Sequence, residues 1–259
     1  MNQSPKSEDN FMSNNFKKTT ILDVEFINTT NAKFLAQIES DSLARKNRFI
    51  VTANPEIVLF ARQHLDYKKI LSQADYVTPD GIGIIKGGAI LGTPLPERIT
   101  GFDTLTSLLE WANGHHKSIY LVGAAEPVIQ KVVTKMDTDY PNINLVGFHN
   151  GYFKNDHEIV TKIKTTQPDF IFVATGFPNQ ETFIQRNRHI SDSIWMGVGG
   201  SFDVLAGNVN RAPQFWQNHH VEWLYRLFQE PTRFIRMLAI PHYLFLIYKE
   251  KFSRRKKKN

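Results

Sequence analysis

Asp80 is the carboxylate whose setting best suits chemistry. It lies in Thr78-Pro79-Asp80-Gly81-Ile82-Gly83, flanked by a proline and a glycine, on a segment whose backbone can come close to a ligand. Upstream, Thr52-Ala53-Asn54-Pro55-Glu56 offers neutral hydrogen-bonding groups suited to sugar hydroxyls or an acetamido group. Asn54 and Asp80 also suit plain helix caps, the commoner fate of Asn or Asp before an apolar helix. Arg98, in Pro96-Glu97-Arg98-Ile99-Thr100-Gly101, could grip a phosphate through its planar guanidinium, or simply pair with Glu97 at the surface.

Further along come Gly123-Ala124-Ala125, Gly151-Tyr152-Phe153, Gly176-Phe177-Pro178-Asn179-Gln180 and Gly199-Gly200-Ser201-Phe202-Asp203. Glycines just before helices expose backbone N–H groups at a positive helix end, a common way to hold a pyrophosphate. One such turn would mean little. Several in succession imply a large, polar, phosphate-bearing ligand.

These segments need a scaffold that gathers them. β-rich runs at 21–27, 48–52, 76–78, 118–122, 144–148, 170–174 and 194–198 alternate with helical patterns at 55–71, 102–113, 127–139, 157–165 and 179–189. That alternation predicts an α/β fold, a Rossmann-like, mostly parallel sheet with helices on both faces. Several runs are continuously apolar, as strands buried on both faces are. All the segments named above except the Arg98 loop follow such a strand, and ligands of parallel sheets bind outside the strands' carboxyl ends. From Arg211 the pattern becomes a long amphipathic helix, 213–229, then a Glu230-Pro231 break and a basic apolar tail. The expected organisation is a disordered leader at 1–18, a catalytic domain at 19–210 and a helical appendage at 211–259.

Composition narrows the function. With no cysteine there are no disulfides, no thiolate metal site and no Cys nucleophile, which fits a reducing cytoplasm. The polar first eighteen residues lack the apolar stretch of a secretory signal. Residues 226–259 hold ten Lys or Arg against Glu230 and Glu250, a net +8 where the whole chain carries +6, so the rest sums to −2. The apolar part, 237–248, is too short to span a bilayer, which needs about 20 residues. It is expected to lie on an anionic membrane surface, with Phe234, Leu238, Tyr243, Leu244, Phe245 and Ile247 toward lipid and Lys249, Lys251 and 254–258 among headgroups. A core helix with a solvated tail is the plainer alternative. No nucleic-acid role is expected, because the apolar residues form a block rather than isolated stacking aromatics. A homo-oligomer could also cover the tail.

Other motifs carry less. Gly81-x-Gly83 followed by Gly87-Gly88 only superficially suggests a dinucleotide fingerprint, with the third glycine one residue late, and no acidic ribose contact marks a nicotinamide oxidoreductase. Asp137-Thr138-Asp139 matches a D-x-D cation motif but ends a helix before Tyr140-Pro141. The pairs His115-His116 and His219-His220 lack ligand spacing. No metal site and no cofactor are assigned.

In order, Thr52–Glu56, Thr78–Gly83, Glu97–Gly101, Gly176–Gln180, Gly199–Asp203, Arg211-Ala212-Pro213 and Glu222-Trp223-Leu224-Tyr225-Arg226 resemble the WecG/TagA/CpsF glycosyltransferase family, from about residue 22 to the end. The likeness is to its TagA type, of wall teichoic acid synthesis. It implies a metal-independent, inverting transferase peripheral to the inner face of the cell membrane. The donor it implies is UDP-N-acetylmannosamine, and the acceptor the 4-hydroxyl of GlcNAc in undecaprenyl-diphospho-GlcNAc. UDP-glucose or UDP-N-acetylmannosaminuronic acid, for another surface polymer, stays open as donor. A basic, non-enzymatic binding protein would leave the strand-end clusters without a purpose.

By the same resemblance Asp80 is the general base, Thr52 and Asn54 contact sugar, and Arg98 and Gln180 complete the pocket. Tyr152 and Asp203 hold the uridine, beside the Gly123, Gly176 and Gly200 turns. Arg226, Arg233 and Arg236 close over the site toward the lipid diphosphate. The chemistry agrees: inversion needs a base for the attacking hydroxyl while UDP leaves from the opposite face.

Overall fold

The computed structural model describes residues 16–210, 212–213, 215–216, 224–225 and 239–256. Six strands form one wholly parallel sheet: β3 (Arg48–Ala53), β4 (Tyr76–Pro79), β5 (Ser118–Gly123), β6 (Asn144–His149), β7 (Phe170–Ala174) and β8 (Ile194–Gly197), in the order β4-β3-β8-β7-β5-β6. The central strands β7 and β8 are buried at every residue, which is why their sequences run apolar without alternation. The α/β expectation holds.

One apolar cluster lies on each face. The first joins α2 (Pro55–Gln63), α3 (Leu65–Ser72), α4 (Ile82–Ile90), α7 (His157–Thr166) and α8 (Asn179–Asn187) through residues such as Val58, Leu71, Ile84, Ile163 and Ile184. The second joins α1 (Asn31–Leu43), α5 (Gly101–Gly114), α6 (Glu126–Asp139) and α9 (Ser201–Leu205) through Phe34, Leu108, Ile129 and Phe202. Adjacent strands β5 and β7 therefore send their following helices, α6 and α8, to opposite faces. That divergence opens a crevice at the carboxyl ends, the usual ligand position in such sheets.

Several local expectations are corrected. The run at 21–27 is two antiparallel strands, β1 (Lys18–Ile21) and β2 (Val24–Ile27), outside the parallel sheet. They turn at Leu22 and Asp23, with φ of +47° and +66°, conformations for which a buried Leu gives no sequence signal. The helix expected over 55–71 breaks at His64, whose extended backbone separates α2 from α3 and whose ring stacks on Phe60 at 3.8 Å. The glycines at 81–88 shape and pack α4. Gly81, at φ +93°, precedes the helix. A Cβ on Gly83 would stand 2.7 Å from the Pro55 ring, and one on Gly87 2.2 Å from the Tyr243 hydroxyl. Close packing, not a dinucleotide, requires those glycines. Phe16 already packs on Tyr76, ring centroids 6.0 Å apart, within the stretch expected as leader; residues 1–15 lie outside the described residues.

The last helix, α10 (Ala239–Lys256), changes the reading of the tail. Tyr243 and Ile247, expected to face lipid, are fully buried against the body, and Leu244 packs on the same cluster. Arg254 pairs with Glu250 and donates to the Thr20 carbonyl. Phe245, Tyr248 and Phe252 are 64, 48 and 58% exposed, with Lys249 and Arg255 also exposed. The spacing 245, 248, 249, 252 makes one face. The helix thus buries one side in the protein and turns aromatic and basic groups outward. Phe234 and Leu238 lie outside the described residues. No helix among the described residues is long and apolar enough to cross a membrane.

Candidate active site

Every strand-end segment singled out above falls on the carboxyl edge of the sheet. Reading across it, Asp80 follows β4, Thr52 and Asn54 close β3, Gly199 and Gly200 follow β8, Gly176 and Gln180 follow β7, and Gly123 ends β5. At about 4.8 Å per strand the β4 and β6 tips stand roughly 24 Å apart. Asp80 and Tyr152 therefore follow the two opposite edge strands, although the turn that carries Tyr152 folds back on the end of β5 through the Gly151 N–H and the Ala124 carbonyl.

At the β4–β3 end, Thr52 is the register partner of Thr78. The loop that carries Arg98 is stitched to β4: the Ile99 N–H donates to the Pro79 carbonyl at 3.0 Å, and the Thr78 hydroxyl donates to the Ile99 carbonyl at 3.3 Å. This sets half-buried Arg98 one residue from a direct bond to the strand that delivers Asp80. Glu97 instead accepts the Asn31 N–H where α1 begins. The half-buried Asp80 does not cap the helix that follows it, since Gly81 holds that position. Its carboxylate accepts a long hydrogen bond from the Gly101 N–H, 3.4 Å, at the start of α5. A Cβ on Gly101 would lie 3.0 Å from the Thr52 hydroxyl oxygen, so Asp80, Thr52 and the α5 N-terminus share one corner. Asn54 is a cap, its Oδ1 accepting the Ile57 N–H at 3.0 Å.

At the β8–β7–β5 end, the turns press on one another. The Ala124 N–H donates to the Ala174 carbonyl at 3.1 Å and the Gly151 N–H to the Ala124 carbonyl at 2.7 Å. A Cβ on Gly123 would meet Ala174 backbone at 2.4 Å, so only glycine fits where β5 leaves the sheet beside β7. Tyr152 is 83% exposed, on a turn in which its N–H donates to the Asn150 side chain at 2.9 Å. Asp203 is half-buried in α9. Glu126, in the first turn of α6, already accepts hydrogen bonds from Gln130 and Asn150, and Pro127 there has no N–H.

Gln180 is tied into the protein through both ends of its carboxamide. It is 5% exposed; its Oε1 accepts the Gly199 N–H at 2.9 Å and its Nε2 donates to Glu181 at 2.7 Å. Glu181 carries no distinctive signal in the sequence, since an acidic residue in the first turn of a helix is common. Burial pushes the Glu181 carboxyl above its ordinary range, against the hydrogen bond from Gln180. Asp139 pairs with Lys135 at 2.8 Å on α6, as a solvated helix end does. Arg226, Arg233 and Arg236 lie outside the described residues.

A sequence model described as the glycosyl transferase WecG/TagA/CpsF family matches residues 19–257. Similar proteins include an N-acetylglucosaminyldiphosphoundecaprenol N-acetyl-beta-D-mannosaminyltransferase of Bacillus spizizenii, 42% identical over 228 residues, 87% of this chain and 89% of the relative. Proteins of the same description from Bacillus subtilis and Staphylococcus aureus are 38 and 37% identical, covering 91 and 94% of this chain and 93 and 97% of their own.

Proposed function

From its membership in the WecG/TagA/CpsF glycosyltransferase family, to which this chain belongs, we propose that it is the enzyme that moves N-acetylmannosamine from UDP to the 4-hydroxyl of GlcNAc in undecaprenyl-diphospho-GlcNAc. The observation that carries this reading is the pairing of relatives named for that transfer, over nearly their whole length, with an Asp80 carboxylate presented at the carboxyl edge of a parallel sheet.

The acceptor oxygen attacks the anomeric carbon as the bond to UDP breaks on the opposite face, and Asp80 takes the hydroxyl proton. UDP departs with the bonding electrons. Thr52 hydrogen-bonds sugar beside Asp80, while Arg98 opposes phosphate charge from the loop stitched to β4. The nucleotide lies toward the Gly176 and Gly200 turns, with Asp203 on the ribose or base and Tyr152 stacking from the far edge. Arg226, Arg233 and Arg236 approach the lipid diphosphate. Asn54 serves through the backbone it caps. Neither a metal nor a cofactor is assigned a part.

Because the acceptor is a lipid, the reaction belongs at the inner surface of the cell membrane. The outward face of α10, with Phe245, Tyr248, Lys249 and Phe252, supports that placement, since aromatic and basic groups together suit an anionic headgroup layer. The test is UDP release with UDP-N-acetylmannosamine and a short-chain lipid-diphospho-GlcNAc, with and without EDTA, beside Asp80→Asn. Acceptor-dependent release that survives EDTA and collapses in the variant is expected. Release from no UDP-sugar in a panel would overturn the reading.

A further inference from the structure

Below the proposed nucleotide end of the groove lies a short polar relay that the transfer step does not use. Glu181 is 1% exposed, in the first turn of α8, where its Oε1 accepts the Gln180 Nε2–H at 2.7 Å. Its Oε2 is buried near the Tyr67 hydroxyl, and neither makes a well-formed hydrogen bond. At its other end the Gln180 carboxamide takes the N–H of Gly199 at 2.9 Å. Gly199 has φ +51° and opens the turn that carries Gly200 and Asp203. The strand makes room for this: a Cβ on Gly197 would stand 2.7 Å from Gln180 Nε2.

A buried carboxyl whose second oxygen is poorly partnered is costly, and an apolar side chain of the same volume would cost less. The Glu181 Oε1 accepts from Gln180, whose carboxamide has the Gly199 N–H as its other partner. Rotating that amide by half a turn would put NH2 against the Gly199 N–H, donor against donor. The Gly199 N–H at one end and the Glu181 acceptor at the other favour the same orientation, and Glu181 reinforces the one in which the Gln180 Oε1 faces Gly199.

We propose that Glu181 is a positioning residue: by accepting from Gln180 it fixes the carboxamide that holds the Gly199 turn, and so sets Gly200 and Asp203 for the donor nucleotide. The inference rests on the donor reading above for its consequence, but not for its geometry. A neutral carboxyl serves as well as an ionised one, since only its acceptor oxygen is used, and the upward push that burial gives the Glu181 carboxyl is consistent with that form.

The experiment compares Glu181→Leu, Glu181→Gln, Gln180→Leu and the double leucine variant in the full chain. A merely structural Glu181 predicts activity that follows stability. The relay predicts that they part. Glu181→Leu should melt at or above the wild-type temperature, yet its Gly199 amide should exchange with deuterium about tenfold faster or more, and kcat/KM for UDP-N-acetylmannosamine should fall about 10- to 100-fold. Glu181→Gln, neutral and with an acceptor oxygen in the same place, should restore all of this. The double variant should be no worse than Gln180→Leu, because residues acting in one chain are not additive. Wild-type protection at Gly199 in Glu181→Leu, or additive losses in the double variant, would overturn the proposal, and Gln180→Leu supplies the exchange comparison if Glu181→Leu does not fold. Exchange is read without substrate, so a wild-type protein inactive on this donor would overturn the donor reading and leave the exchange arm to decide the relay.

Discussion

The two ends of the parallel sheet are both rich in polar side chains, but they spend them differently. At the amino ends, side chains bind one another across strands. Asp41, with no exposure, is held by Arg48 at 2.7 Å, the Tyr76 hydroxyl at 2.7 Å and Lys46 at 3.3 Å. Asp75 takes Arg188 at 2.6 Å and the Phe49 N–H at 2.8 Å. Asp169 takes the Ser118 N–H and hydroxyl, with Lys117 and Arg45 beside it. At the carboxyl ends, polar side chains chiefly hold backbone turns: Asn54 holds Ile57, Gln180 holds Gly199 and Asp80 accepts from Gly101. The first end ties strands together. The second shapes loops, and a ligand can use the loops so shaped.

Mutation should separate the two. Asp80→Asn is expected to lower kcat about 10²- to 10⁴-fold, the range of general-base assistance, with a melting temperature within about 2 °C of wild type and UDP binding largely kept. Asp41→Ala at the other end should do the reverse. Removing one partner of a buried ion pair costs about 3 kcal/mol, roughly 6–12 °C in Tm for a domain of this size, while kcat at a temperature where the variant is folded stays near wild type. Thermal denaturation and initial rates on both proteins check this. Equal losses of stability in both would erase the division between the ends.

The ends should also answer pH in opposite senses. Although burial alone would raise them, Arg48 and Tyr76 hold the Asp41 carboxyl below its ordinary range, and the Ser118 N–H and hydroxyl with Lys117 do the same for Asp169. Such groups stabilise the fold above their unfolded pKa, about 3.9, and lose that contribution as pH falls through the folded value. Glu181 is displaced upward. Its contribution is complete below the unfolded value, about 4.3, and is lost as pH rises from there to its folded value. Urea unfolding against pH should show Asp41→Asn flattening the acid side of the profile and Glu181→Gln flattening the rise of instability above it. Flattening on the same side by both would contradict the assignment.

What the sequence could tell follows the same division. Buried parallel strands announce themselves as apolar runs, so β3, β5, β7 and β8 were readable, and with them the edge where the chemistry gathers. The β1–β2 turn was not, because it uses Leu22 and Asp23 where Gly or Asn would give a signal. Motif positions located Asp80, Thr52 and the glycine turns. They could not say that Asn54 and Gln180 face backbone, or that Gly83 and Gly87 serve Pro55 and Tyr243, because each depends on contacts between segments distant in the chain. Glu181 escaped notice since its meaning comes only from burial beside Gln180.

The smallest expected effect concerns α10, whose two sides repeat the contrast on a single helix. Its inward side is packing: Tyr243 fills the space left by Gly87, and Ile247 is fully buried. Its outward side leaves Phe245, Tyr248 and Phe252 about half exposed or more. Replacing those three by Ser should leave Tm within about 2 °C, as surface changes do, and leave UDP binding intact. Partition onto vesicles containing anionic lipid should weaken by about tenfold, a modest loss because Lys249, Arg255 and the basic residues around them still attract the surface at about 1 kcal/mol each. The residual binding should then be the more sensitive to salt, since what remains is mainly electrostatic. Vesicle sedimentation at two ionic strengths reads both effects. If the triple variant bound vesicles as wild type does, the exposed aromatics would have no part in holding the enzyme at its lipid acceptor, and the basic residues alone would have to account for it.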